Sequence, residues 1–307
     1  MKDTTVNKKI SILISTKNRV NELLYTLNEI QFLIERDDVD CVVFDDGSTD
    51  NTSQTIKQEF PKIQLLRNET SKGYLFCRNK MLNETNAKFA ISLDDDAHFI
   101  TANPIEIIES YFNHNSSCGV IATRIFWGIN APKQTSTELQ NLKVKSFVGC
   151  GHVWNMNAWR DIPNYPEWYQ FYGEENFASL QLFKQKWEVH YLTDIFVQHR
   201  VDLIKRTQKN KDFAIRYRRA LRADWCNYFL FLPFSKIPIK MGYSIWMQFK
   251  NKIFKGDLKI VKPLILAIFD LLLLVPKFYK HRNALTINEY NKYCKLKDAK
   301  VFWKPEK

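Results

Sequence analysis

Three carboxylates, Asp94, Asp95 and Asp96, stand together in the segment ISLDDDAHF, just after the apolar run Phe89-Ala90-Ile91. A chain leaving a core does not end in three like charges unless something offsets them. Alternate residues of an extended segment share a face, so Asp94 and Asp96 point one way and Asp95 the other. Two hard oxygen ligands so close suit Mg2+ or Mn2+, ions that bridge carboxylates to substrate phosphates. A solvated acidic turn would look the same in isolation. Three other clusters have comparable potential. Asp45 and Asp46 in FDDGSTDNT sit in a turn rich in helix-capping residues, and carboxylates at a strand end accept hydrogen bonds from a base N–H or ribose hydroxyls. Glu174 and Glu175 in YGEEN are helix-dipole partners or a general base. His199 in FVQHR is a structural histidine when alone and a metal ligand when an ion is near. The chain has neither GxGxxG nor GxxxxGK[ST], which removes support for a Rossmann dinucleotide site or a P-loop.

The surrounding pattern says which elements position these groups. Lys9–Ser15, Asp40–Phe44, Ile63–Arg67 and Lys88–Leu93 are short apolar runs that predict buried strands. Between them, Asn21–Arg36, Thr52–Phe60 and the segment SKGYLFCRNKMLNET have helical spacing. Strands alternating with helices predict an open α/β sheet, mixed but mostly parallel, with flanking helices. In such sheets ligands bind at the carboxyl ends of the strands. Ser15–Arg19, Asp45–Asp50 and Asp94–Asp96 all fall at such ends. Further on, VGCGHVWNMNAWR (148–160) reads as a strand, a Gly-rich turn and a helix start. YGEENFASLQLFKQKWEVHYL places Phe177, Leu180 and Phe183 on one helical face.

Charge divides the 307 residues unevenly. Residues 1–199 hold 20 Lys+Arg and 25 Asp+Glu, a net of −5, whereas residues 200–307 hold 25 and 8, a net of +17. The change predicts a boundary near 205, with residues 1–205 forming one region. A helical, basic region over 206–307 follows, directed at an anionic membrane surface. In residues 212–232, Arg216, Arg218, Arg219 and Arg222 map to one side of a helix, and Phe213, Tyr217, Leu221, Trp225 and Tyr228 to the other. That is the pattern of an interfacial helix. The longest apolar run, 264–276, is interrupted by Asp270 and is short of the roughly 20 residues a membrane span needs. Ile10–Ile14 is too short for the apolar core of a signal peptide. The six cysteines show no CxxC or disulfide-like spacing. Together these predict a cytoplasmic protein with reduced thiols, peripheral on the inner face of the cell membrane. No nucleic-acid-binding motif is present, and the basic residues are interleaved with long apolar stretches.

Taken in order, SILISTKNRVNELLYTLNEI, VVFDDGSTDNT, SKGYLFCRNKML, ISLDDDAHF and YGEENFASLQL resemble the family 2 glycosyltransferases of the GT-A fold, over about residues 8–200. The resemblance implies a nucleotide-sugar donor (UDP- or dTDP-linked), a divalent metal, Mg or Mn, and inversion at the anomeric carbon. It makes 1–205 the catalytic domain, with a donor half near 8–100 and an acceptor half near 101–205. It places Thr16, Asp45 and Asp46 at the nucleoside, Arg78 and Asn79 near the diphosphate, and Asn18 and Arg19 in the same donor site. Asp94 and Asp95 join this donor site. Asp94 and Asp96 match the metal-binding DxD, Asp96 being the preferred ligand, and His199 completes the site. Glu175 matches the catalytic base, with Glu174 beside it. Ala97 stands where the family often has another acid, and Glu175 where it often has Asp. The tail is similar to that of membrane-associated members, which implies a saccharide or lipid-linked acceptor in cell-surface polysaccharide assembly. A nucleotidyltransferase would also want acids and a nucleotide site but has no use for the GEE element. A non-catalytic lipid- or nucleic-acid-binding protein would use the tail alone.

Overall fold

The computed structural model describes residues 9–202 and 212–303. Strands β1 (Ile10–Thr16), β2 (Val39–Asp45), β3 (Gln64–Arg67) and β4 (Phe89–Asp94) lie parallel in the order β3-β2-β1-β4. Their connections are α1 (Val20–Glu29) with the single turn α2 (Gln31–Ile34), then α3 (Thr52–Glu59) and α4 (Tyr74–Glu84). The expected helix over 21–36 is thus two, broken at Ile30.

The second half is mixed. It comprises β5 (Ala97–Phe99), α5 (Pro104–His114), β6 (Cys118–Trp127), β7 (Leu142–Val144), β8 (His152–Asn155), α6 (Met156–Arg160), α7 (Glu174–Lys184) and β9 (Glu188–His199). Strand β8 inserts antiparallel between β4 and β6, and β9 runs parallel to β6 and antiparallel to β5. In 148–160 the Gly-rich turn precedes the strand rather than following it, because β8 begins only at His152.

Alternation along β1 divides the core. Ile10, Ile12 and Ile14 pack with Leu23, Leu27 and Ile105 on one face of the sheet. Leu13 packs on the other, in a cluster that reaches Leu75, Trp154 and Phe177. The C-terminal helices are α8 (Phe213–Phe231), α9 (Ile237–Asn251), α10 (Val261–Leu273), α11 (Val275–His281) and α12 (Ile287–Lys295). Among them, α8 joins that second cluster through Trp225 and Phe231, and α10 through Leu264 and Leu271. The expected boundary at 205/206 lies outside the described residues.

The interfacial role expected of residues 212–232 is overturned by this packing. Trp225 is fully buried in α8. Arg222 is also buried and donates to the Tyr169 carbonyl oxygen at 2.6 Å. Arg218 forms a two-nitrogen pair with the buried Asp270 of α10. Much of the basic side of this helix therefore faces protein, where two guanidiniums share one carboxylate. Among the described residues no helix is long and apolar enough to cross a membrane.

Candidate active site

The carboxyl ends of β1 and β4, the start of α4, the 167–172 segment and the end of β9 surround a cleft of about 970 Å³. Its lining includes Thr16, Arg19, Asp46, Lys72, Tyr74, all three acids of the DDD segment, Phe171, Tyr172 and His199. Register explains the convergence. Ser15 pairs with Asp94, and Ala97 pairs with His199, so the end of β9 returns to the acidic turn from more than a hundred residues away.

Three cations share the three acids. Arg78 donates to Asp94 Oδ1 at 2.6 Å and through its other arm to the Gly149 carbonyl at 2.9 Å. Arg19 reaches Asp95 Oδ1 at 3.2 Å and Asp96 Oδ2 at 2.7 Å. His199 Nε2 lies 3.1 Å from Asp96 Oδ1 and 3.9 Å from Asp94 Oδ2. The division expected within the cluster is present, though it arises from a turn at Asp95–Asp96 rather than from strand alternation. Asp94 and Asp96 meet at the histidine, while Asp95 accepts from the Thr16 hydroxyl at 2.8 Å. Burial pushes Asp95 up to about 7, against the pull of Arg19. Burial also opposes the charge on Asp96, but His199 and Arg19 outweigh it and hold that carboxyl well below its usual range. Burial works against a charged His199, while Cys150 and Asp96 favour it, and its pKa rises to about 11. Asp96 is the partner that carries charge at neutral pH, since the buried Cys150 thiol is itself shifted upward.

These donors fit a divalent ion. Cis ligands at the roughly 2.1 Å bond length of a small octahedral cation stand about 3 Å apart, close to the Asp96–His199 spacing of 3.1 Å. The ligand atoms of Asp94, Cys150 and His199 lie within 4.8 Å of one another, and His199 Nδ1 is buried without a hydrogen-bond partner. A carboxylate–imidazole set suits Mn2+ better than Mg2+.

The two glutamates open α7 behind this cleft rather than in its lining. Glu174 is buried, and its Oε2 has no partner. Glu175 is half-buried, and a Cβ built on Gly149 would collide with its Oε1. Only glycine therefore lets the carboxylate sit against that backbone, which Arg78 in turn grips. Burial raises the pKa of both acids, Glu174 further, its charge being opposed by Glu175 as well. Gly173, the residue before the helix, has φ +78° and would place a Cβ 2.8 Å from Ala223 of α8. Asn227 of α8 donates to its carbonyl at 3.0 Å, so the C-terminal helix fixes where α7 starts.

Other expected donor contacts are spent within the protein. Asp45 is fully buried and accepts from Ser48 N at 2.7 Å, Arg67 Nη1 at 2.9 Å and the Ser53 hydroxyl. Asp46 lines the cleft, yet it accepts from Asn68, Ser71, Lys72 N and Gly73 N. Asn18 bridges to the Ser48–Thr49 turn. Asn79 clamps the backbone of Tyr165 through both ends of its amide, away from the cleft lining. Arg78 is 3 % exposed and acts through Asp94 and Gly149. Sequence reasoning missed Cys150, Lys72, the aromatic wall of Tyr74, Phe171 and Tyr172, and two lining arginines of α8, Arg216 and Arg219. Lys72 and Tyr74 stood inside a recognised motif, which was the available signal.

The pattern of glycosyl transferase family 2 matches residues 11–205. The chain belongs to this family. Among solved structures, GalNAc-T7 with UDP, GalNAc and Mn2+ matches with a TM-score of 0.57 at 13% identity, over 74% of this chain and 48% of that one. The mannosyltransferase PcManGT from Pyrobaculum calidifontis, in complex with GDP-Man and Mn2+, matches with a TM-score of 0.55 at 13% identity, over 73% and 64%. The chain thus spans about half of the first structure and less than two-thirds of the second. Both matches establish the GT-A arrangement of the family 2 domain. No curated protein matches the sequence.

Proposed function

We propose that this family 2 member is an inverting glycosyltransferase. It moves a sugar from a UDP- or dTDP-linked donor to a hydroxyl of a lipid-linked saccharide, at the cytoplasmic face of the cell membrane, in cell-surface polysaccharide assembly. The observation that carries this reading is the meeting of Asp94, Asp96 and His199 at one corner of a large cleft walled by Tyr74, Phe171 and Tyr172. Asp94, Asp96 and His199 would hold the divalent ion, which supplies charge neutralisation for the departing diphosphate. Lys72 and Arg19 line the same cleft and add positive charge beside the phosphates. Thr16 and Arg19 orient Asp95, keeping it turned away from the histidine corner.

Glu175 is the base. Its raised pKa strengthens it as a proton acceptor. The acceptor oxygen forms its bond to the anomeric carbon as the bond from that carbon to the diphosphate oxygen breaks. The hydroxyl proton passes to Glu175, and the nucleoside diphosphate leaves from the opposite face. In the cleft lining, Arg216 and Arg219 make no ion pair with a described residue, which favours an acceptor carrying its own negative charge.

The test is donor hydrolysis and transfer across a panel of nucleotide sugars with Mn2+ and with EDTA. Turnover of one donor that EDTA abolishes supports the reading. Metal-independent turnover, or an absence of turnover with every donor, overturns it.

A further inference from the structure

The C-terminal region leaves apolar side chains in water in a way the catalytic region does not. Of the 20 large apolar side chains exposed among the described residues, 14 fall between 234 and 279. On α9, Tyr243 and Trp246 follow Ile239 at helical spacing and are 62% and 54% exposed. Phe254, just beyond this helix, packs edge-on against Trp246 at 6.0 Å. On α10, Phe269 and Leu272 share a face at 58% and 64% exposure, and Leu273 reaches 79%. Exposed apolar side chains concentrated in this way mark an interaction site.

Charge identifies what covers it. Residues 234–280 contain nine lysines and two acids, Asp257 and Asp270. Asp270 is buried with Arg218 and Arg222, so it does not offset the lysines at the surface. A patch joining a second copy of itself would bring those lysines against one another. An anionic bilayer accepts both features: tyrosine and tryptophan settle at the headgroup level, leucine and phenylalanine enter the acyl boundary, and lysines extend to the phosphates. Neither helix is long and apolar enough to span, so they lie flat.

We infer that α9 and the α10–α11 segment form the membrane-docking face, with the arginine-rich α8 as its internal support. This inference rests on the reading above for its context and names the surface that meets the lipid. Because α8 both packs on α10 through Arg218–Asp270 and lines the cleft through Arg216 and Arg219, docking on this face sets the cleft near the bilayer.

The experiment uses the full chain with vesicles of phosphatidylcholine alone or with added phosphatidylglycerol, read by co-sedimentation at low and high salt. The expected result is binding that needs phosphatidylglycerol and weakens with salt. In the double variant Trp246→Glu/Leu272→Glu, partitioning falls roughly tenfold or more, with an unchanged melting temperature. Unchanged sedimentation of that variant overturns the inference. So does a wild-type chain that stays in solution with both vesicles, including one that dimerises through this face. Mn2+-dependent donor turnover on a water-soluble acceptor, measured in parallel, reports on the catalytic reading alone. A wild-type chain that turns over donor but does not dock refutes the surface alone, and one that docks without turnover refutes the reaction alone.

Discussion

The two acidic strand ends make an instructive pair. Asp45–Asp46 and Asp94–Asp96 close the strands that flank β1 on either side, at nearly the same level of the sheet. In sequence both are runs of aspartate after an apolar strand. Their partners differ in kind. The first pair is held mainly by neutral donors: backbone amides of Ser48, Lys72 and Gly73, hydroxyls of Ser53 and Ser71, and the Asn68 amide, with Arg67 as a charged addition. The second cluster is balanced by the side chains of Arg19, Arg78 and His199. Backbone donors are built into a turn and leave only if the turn unfolds. Among the side-chain cations, Arg19 is 44% exposed whereas Arg78 is buried and tied to Gly149 as well as Asp94, so Arg19 is the one placed to give way to an ion or a substrate. We propose that the first cluster serves as an architectural anchor and the second as the exchangeable site.

The strongest check removes the group that belongs to neither cluster. Glu175→Gln should lower kcat by about 10²–10⁴-fold while donor binding, set by the DDD corner, stays near wild type. The wild-type acid limb of kcat/KM should lie above the ordinary glutamate value of 4.5, because burial raises this carboxyl and activity is lost as it protonates on going down in pH. A fully active Glu175→Gln enzyme removes it from the reaction.

The next test addresses the exchangeable cluster directly. In Asp96→Ala, donor affinity measured by calorimetry with Mn2+ should fall by roughly 10–100-fold or more and cease to respond to EDTA. If the variant binds donor as the wild type does, Asp96 is not a ligand.

The anchor should respond in the opposite currency of observables, stability before affinity. Asp45→Ala strands the Ser48 amide and leaves Arg67 without its buried partner, which costs about 1–3 kcal/mol and lowers Tm by a few degrees. A native Tm with donor binding lost would reverse the roles of the two clusters.

The smallest effect is the most diagnostic of mechanism. Burial opposes the charge on Asp46, but Ser71, Lys72, Asn68 and Gly73 outweigh it and hold its pKa below 3.8. A depressed folded pKa means that its stabilisation is complete above the unfolded value and is lost as pH falls through the folded one. The Tm difference between wild type and Asp46→Asn should therefore stay constant near neutral pH and close only below about pH 3.8. A difference that closes between pH 5 and 7 would contradict the anchor role.

Much of this was legible from local pattern. The first four strands follow from short apolar runs, and the acids lie where open α/β sheets bind ligands. The pairing of Asp94 with Asp96 was anticipated, although a turn at Asp95 produces it. Arg78 was recognised, but its grip on Gly149, 71 residues away, was not readable. Nor was Cys150 beside His199, which requires β8 to enter antiparallel and β9 to return alongside β5. The α8 arginines misled most. Periodicity separated charged from apolar residues correctly, yet the helix folds back onto the domain, and Asp270, which interrupts an apolar run, receives the charge of Arg218 and Arg222.

By itself the sequence determined the composition of each strand end, the glycines at 149 and 173, and the supply of lysines and aromatics in the tail. Those are properties of residue type and neighbour spacing, which local sterics and periodicity express directly. Tertiary structure decided which acids face a histidine, which are locked by backbone amides, and which helix of the basic region is buried. These outcomes depend on contacts between residues tens to hundreds of positions apart. The same carboxylate or guanidinium is a structural tie or a free ligand according to what the fold sets beside it.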